Sequence, residues 1–234
     1  MKEFVHKIIK RLLWRTFSEA IEFALDRNEM NIVRAMRRSA AEDTANFITE
    51  NLPHVRYFED RWALLEHAIS HIETEGIYTE FGVYKGASLK FIASRTDRKV
   101  FGFDSFEGLP EDWVLNYDRD YFKVTELPVV NSNVTLVKGW YDDTVPKFAK
   151  ENSEPIAFSH IDCDLYSSTK TIFDHLGDRL KPGSVIVFDE YFNYPGWRVD
   201  GEYLAFIEFI EQSGQKFEYL GYTGKSPCAA VRFL

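Results

Sequence analysis

The sequence predicts an α/β fold built on a mostly parallel, seven-stranded sheet, and three observations carry that reading. From residue 76 onward, short apolar runs alternate with helix-length segments. The last two runs are joined only by the connection TGKSP, which makes them an antiparallel hairpin. Residues 1 to about 72 contain no glycine and a single proline, Pro53, with apolar positions in helical rhythm. Alternating strand and helix implies crossovers that cover both faces of a parallel sheet.

The elements follow in chain order. Phe4, Val5, Ile8, Ile9, Leu12, Leu13, Phe17, Ile21, Ala24 and Leu25 form an apolar stripe, so residues 1–72 read as an N-terminal helical extension. The first forty residues carry nine Lys and Arg against five Asp and Glu. A basic amphipathic helix can lie on a membrane surface, but most such stripes are buried in protein. The stripe is therefore expected to pack on the core or on a second copy of the chain, a homo-oligomer formed through the N-terminal helices. Residues 73–234 form the α/β domain. Its strands are expected at 76–81, 99–103, 133–137, 156–161, 184–188, 216–222 and 228–233, and its helices at 86–95, 143–150, 167–179 and 200–213.

Composition narrows the function classes. With 234 residues, 45% hydrophobic and 16% aromatic, the chain can bury one substantial core. A formal net charge of −9 opposes nucleic-acid binding, which needs a dense basic surface. Cys163 and Cys228 are the only cysteines, too few for a disulfide framework or a cysteine-ligated zinc site, so a reduced cytoplasmic location is expected. No apolar stretch approaches the roughly 20 residues that span a bilayer, and Lys7, Lys10, Arg11 and Arg15 interrupt the N-terminal apolar residues. No membrane partner is expected.

Ligands of open parallel sheets sit beyond the carboxyl ends of the strands. The stretch YTEFGVYKGASLKF, residues 78–91, falls at such a place. Gly82 and Gly86 let the backbone pass close to a ligand, and Ser88 starts a helix whose free N–H groups favour an anionic group. The same glycines equally serve a turn and helix packing. Asp104, twenty-four residues after Glu80, stands at the next strand tip, where an acid accepts hydrogen bonds from ribose hydroxyls. Neither G-x-G-x-x-G nor G-x-x-x-x-G-K-[ST] occurs, so the ligand is a nucleoside whose anionic group is a carboxylate. Glu80 suits a positively charged ligand. S-adenosylmethionine has all three parts.

Four more acids follow strand runs. Asp162 and Asp164 come after the fourth and Asp189 and Glu190 after the fifth, with Lys170, Lys181 and Arg198 the nearest cations in sequence. Converging carboxylates need cationic partners, a shared proton or a divalent ion. A hard ion such as Mg²⁺ or Ca²⁺ suits this donor set. Asp164 has a second reading, as N-cap of the helix beginning near Ser167, and Glu190 a second reading as a solvent-facing acid.

Five segments, EFGVYKGAS, GFDSFEGLP, VKGWYDDTVP, HIDCDLYSST and VIVFDEYFNYPGW, together resemble the macrocin O-methyltransferase family of class I S-adenosylmethionine-dependent methyltransferases. The resemblance runs from about residue 50 to about 212 and leaves the first forty residues outside. It implies a Rossmann-like methyltransferase domain over 73–234 that methylates a hydroxyl of a sugar or sugar-bearing small molecule. It implies cofactor contacts at Glu80, Gly82, Gly86, Ser88, Asp104, Ser105, Phe106, Gly139, Trp140 and Asp162. It further implies Mg²⁺ held by Asp162, Asp189 and Glu190, with Asp162 also the base. The family pattern has two consecutive Asp where this chain has Asp189 and Glu190.

Several residues keep two readings. Trp140 and Tyr141 flank an adenine ring or pack between helices, and Asp142 or Asp143 is placed to take its amino group. Phe106 and Tyr166 are further candidates to line the site, and His160 reads as a core or supporting histidine. YFNYPGWRVDG, residues 191–201, carries four aromatics toward an acceptor, and the long 105–132 connection reads as a lid or substrate loop. Tyr166 to Lys170 forms the Tyr-x-x-x-Lys pair of some nicotinamide dehydrogenases, an alternative opposed by the missing pyrophosphate turn. A non-catalytic nucleoside-binding module of the same fold is the other alternative.

Overall fold

The structure, a computed structural model, describes residues 31–114 and 117–234 together with residues 10, 14 and 16–19. The apolar stripe from Phe4 to Leu25, and the oligomer contact expected from it, lies outside the described residues except for Phe17, which is exposed. No helix among the described residues is long and apolar enough to cross a membrane.

Eight strands form one sheet: β1 Tyr57–Phe58, β2 Ile77–Phe81, β3 Val100–Asp104, β4 Val134–Lys138, β5 Ile156–Ile161, β6 Leu180–Phe188, β7 Phe217–Thr223 and β8 Ala229–Phe233. The seven expected strands are all present, and the two-residue β1 adds an eighth at the edge. Their order is β1-β7-β8-β6-β5-β2-β3-β4, with β8 antiparallel to both neighbours and the other pairs parallel. The strand order reverses between β2 and β5, and that switch point opens the crevice in which a ligand can sit. β2 and β5 are buried along their whole length, as central strands covered on both faces must be.

Six α-helices among the described residues cover the sheet: α1 Ile32–Asn51, α2 Arg61–Ile69, α3 Ala87–Ala93, α4 Tyr141–Glu151, α5 Tyr166–Leu176 and α6 Glu202–Ser213. α1 starts at Asn31, whose side chain accepts the Arg34 N–H at 3.1 Å, a favoured capping arrangement. It buries Ala40, Thr44 and Phe47, the spacing of one helical face. Phe47 meets Trp197 edge-on at 5.3 Å, Thr44 Oγ1 accepts the Asn193 N–H at 2.9 Å and Arg198 pairs with Asp43 at 2.8 Å. Those contacts pin α1 to the 191–201 segment. α2 starts at Asp60, which accepts the Ala63 N–H at 3.0 Å, and packs on β6, β7 and β8. Its first residue, Arg61, reaches the strand tips.

The parallel register sets the site. The Asp162 N–H donates to the Phe81 carbonyl and the Asp189 N–H to the Ile161 carbonyl, both at 2.8 Å, so the ends of β2, β5 and β6 stand side by side.

Candidate active site

The turn after β2 is shaped by neighbouring backbone. Gly82 has φ +98°, and a Cβ there would lie 1.6 Å from the Asp162 carbonyl oxygen. Only glycine lets the tips of β2 and β5 approach this closely. Gly86, at φ +74°, precedes α3 beneath Pro128. Asp104 holds the turn from the next strand: Oδ2 accepts the Val83 and Tyr84 N–H groups at 2.8 and 2.7 Å, and Oδ1 accepts the Phe106 N–H at 2.6 Å. Ser105 Oγ donates to the Gly108 carbonyl at 2.8 Å and closes the following bend.

A cavity of about 980 Å³ opens above these strand tips. Of the residues expected to contact a cofactor, Gly82, Asp104, Ser105, Gly139, Trp140 and Asp162 line it, as do Asp189 and Glu190. Glu80, Gly86, Ser88 and Phe106 are absent from the lining. Glu80 is fully buried under the floor, where Oε1 pairs with His160 Nδ1 at 2.8 Å. Burial raises the Glu80 pKa against the pull of His160. His160 is fully buried, as the sequence reading placed it, with Nε2 3.8 Å from Asp189 Oδ1. Burial opposes its charge, but Asp189 and Glu80 outweigh burial and raise it to about 10.

Two groups of donors converge on Asp162. Asp162, Asp164 and Glu190 each bring a carboxylate oxygen within 4.8 Å of the others, and His160, Asp162 and Asp189 form a second such group. Asp164 does not cap the following helix. Leu165 occupies the N-cap position of α5, and Asp164 is buried at φ +63°, a left-handed conformation few non-glycine residues adopt. Burial, then repulsion from Asp189, raises Asp162 well above the ordinary carboxylate range and Asp164 to about 7. Glu190 rises well above its ordinary value for the same reasons, and its Oε2 is buried without a hydrogen-bond partner among the described residues.

The nearest cations in sequence, Lys170, Lys181 and Arg198, are not the ones that meet these acids; Lys170 pairs with Asp174 and Arg198 with Asp43, and the cation comes from far upstream. Arg61 Nη1 lies 2.8 Å from Asp189 Oδ2 and 4.0 Å from Asp162 Oδ2. Cys228 Sγ donates to Asp189 Oδ1 at 3.1 Å. Burial alone would raise Asp189, yet His160 and Arg61 hold it down at about 2. Asp189 thus takes the arginine at close range, while Asp162, 4.0 Å from it, crowds with Asp164 and Glu190 as three oxygen donors whose mutual repulsion protons or a hard cation can relieve. That trio fits a divalent ion.

The outer wall is aromatic. Trp113, Tyr117, Tyr121 and Phe122 of the long connection line the cavity, and Trp113 meets Tyr194 at 5.7 Å and Tyr117 at 5.0 Å. Of the four aromatics in 191–201, only Tyr194 lines the cavity, because Tyr191, Phe192 and Trp197 are buried in the core. Trp140, Tyr141 and Asp142 line it and Asp143 does not. Tyr166 donates to Glu208 at 2.6 Å and Lys170 pairs with Asp174, both away from the lining. The dehydrogenase pair is therefore dismantled.

Comparison with known proteins fits this geometry. A family model described as macrocin-O-methyltransferase (TylF) matches residues 3–203, so the similarity extends into the first forty residues, which the motifs alone had left outside. The 8-demethyl-8-(2,3-dimethoxy-alpha-L-rhamnosyl)-tetracenomycin-C 4'-O-methyltransferase of Streptomyces olivaceus is 27% identical over 155 residues, 54% of this chain and 58% of that protein. The chain thus matches little more than half the length of that curated relative. Among solved structures, the calicheamicin methyltransferase CalS11 superposes with TM-score 0.61 at 22% identity, covering 85% of this chain and 92% of its own. The O-methyltransferase NovP superposes with TM-score 0.55 at 20% identity, covering 74% and 78%. These likenesses show the fold, a class I methyltransferase sheet. On the match that spans most of its length, the chain belongs to the macrocin-O-methyltransferase family.

Proposed function

We propose that the protein is an S-adenosylmethionine-dependent O-methyltransferase acting on a hydroxyl of a sugar or sugar-bearing small molecule. The observation that carries the reading is one cavity joining the Gly82–Asp104 turn to the acids Asp162, Asp164 and Glu190, in a member of this family whose curated relative methylates a rhamnosyl group.

The cofactor supplies an electrophilic methyl group on a cationic sulfur. In this reading Asp104 and Ser105 take its ribose, Gly82 allows close backbone approach, and Trp140 and Tyr141 take the adenine. An alcohol is a poor nucleophile until its proton is taken, and a base with a raised pKa takes it more readily than an ordinary carboxylate. Asp162 is assigned that role because it lines the cavity at the tip of β5, beside Asp164 and Glu190. Asp162, Asp164 and Glu190 would hold a divalent cation such as Mg²⁺, which lowers the pKa of a hydroxyl beside it. The implied ligand Asp189 is replaced in this assignment by Asp164, because Arg61 engages Asp189. Trp113, Tyr117 and Tyr194 give a sugar ring flat apolar faces and keep water from the reacting atoms.

The test is calorimetric titration of the purified protein with S-adenosylhomocysteine, followed by transfer of a labelled methyl group to a panel of rhamnosyl glycosides before and after chelator treatment. Saturable binding with labelled glycoside that declines after chelation supports the reading. No binding to the folded protein overturns it.

A further inference from the structure

Glu202 stands outside the set that motif reasoning selects, yet it touches both acid-bearing loops. It is the first residue of α6 and is fully buried. Its Oε1 accepts the N–H groups of Cys163 and Asp164 at 3.2 and 3.3 Å, and its Oε2 accepts the N–H of Glu190 at 3.2 Å. Three backbone donors from two strand tips thus converge on one side chain. No Lys or Arg pairs with it among the described residues, an unusual position for a buried carboxylate.

We infer that Glu202 is a positioning residue that ties the loop after β5 to the loop after β6 and fixes Asp164 against Glu190. Two further observations support it. Asp164 has left-handed backbone at φ +63°, a conformation that persists only where the surroundings over-determine it, and the Glu202 bond to its N–H is one such constraint. Gly201, which sets the entry of α6, has φ +137°, and a Cβ there would sit 1.8 Å from the Tyr194 hydroxyl. The chain is shaped to bring Glu202 under the loops beside a cavity-lining tyrosine.

The acids that Glu202 holds are those proposed above to bind a divalent cation, so one of the tests rests on that reading. In Glu202→Gln an amide NH₂ replaces one acceptor oxygen and faces backbone N–H groups. Amide hydrogen exchange at Cys163, Asp164 and Glu190 is expected to speed up together, with S-adenosylhomocysteine affinity retained. Mn²⁺ affinity, followed by the electron paramagnetic resonance signal of the free ion, is expected to fall about 10–100-fold, as when a group orienting metal ligands is lost. Glu202→Asp keeps the carboxyl group with a shorter reach and is expected to recover part of both losses. Wild-type exchange at the three amides in Glu202→Gln overturns the inference. If the wild-type protein binds no Mn²⁺, the cation reading fails and the exchange result alone decides Glu202. Should both variants fail to fold, rapid exchange of the Asp164 and Glu190 amides in the wild-type protein would overturn it, and slow exchange would support it.

Discussion

Asp104 Oδ2 accepts the backbone N–H of Tyr84 at 2.7 Å, and the same oxygen takes the Val83 N–H at 2.8 Å. The acid expected to hold a ribose therefore also holds the turn beneath the ligand. Asp104→Ala leaves these two donors and the Phe106 N–H without their acceptor. At about 1–3 kcal/mol for a buried donor, reduced where water can enter, the variant is expected to lose about 2–4 kcal/mol in urea unfolding without cofactor. Unchanged stability would show that the turn stands without Asp104. A loss of cofactor affinity in this variant consequently reports the turn as well as any ribose contact.

The two glycines of the turn are expected to differ in their tolerance of a side chain. In Gly82→Ala the methyl meets the Asp162 carbonyl at 1.6 Å with φ at +98°, and the backbone of two strands must part. A loss of about 4 kcal/mol or more is expected, in the range reserved for named structural breaks. In Gly86→Ala the nearest atom is a Pro128 side-chain carbon at 3.0 Å and φ is +74°, for which about 1–2 kcal/mol is expected. Thermal melts of both variants decide the point, and equal losses would contradict the assignment.

Arg61 contributes through Asp189. The arginine side chain is 32% exposed, so its removal is expected to cost about 1–2 kcal/mol rather than the 3–5 of a fully buried pair. The Asp189 pKa is depressed to about 2, so the stability it contributes is present above its unfolded value of 3.8 and is lost as pH falls through about 2. Arg61→Met should therefore be most harmful near neutrality and converge on the wild type in acid. Urea midpoints measured across that range would refute this if the deficit stayed constant.

Much of the fold was legible because apolar runs such as Ile77–Phe81 and Ile156–Ile161 are bounded by turn residues and fully buried. Asp162 was legible as the residue following the second of those runs, and Asp189 and Glu190 as those following the run that ends at Phe188. Arg61 was not, because 128 positions separate it from Asp189 and it opens a helix with no local sign of the cleft. Glu202 was hidden for a similar reason, since an acid in a first helical turn ordinarily reads as a favourable dipole partner. Glu80 misled because a strand buried on both faces gives no alternation to show which side chain points to the cavity. The 191–201 aromatics likewise carry no mark separating Tyr194 at the cavity from Trp197 in the core.

The acid cluster makes stability depend on pH with a definite sign. Asp164 rises from 3.8 to about 7 and Glu202 from 4.5 to about 8, both chiefly by burial. Groups raised in the folded state contribute stability that is present below the unfolded value and lost as pH rises through the folded one. His160, raised from 6.5 to about 10, acts in the same direction. The cation-free protein is thus expected to melt at progressively lower temperature from about pH 5 to about pH 9. A divalent cation should oppose the trend, because its ligands must first release protons, and at a hundred times its Kd it adds about 2.7 kcal/mol. Scanning fluorimetry of chelator-treated protein with and without Mn²⁺ measures both effects. A Mn²⁺ increment that fails to grow with pH would count against Asp162, Asp164 and Glu190 as its ligands, and a cation-free melting temperature that stays level would show that water or protein rearrangement already relieves the crowding of these carboxylates.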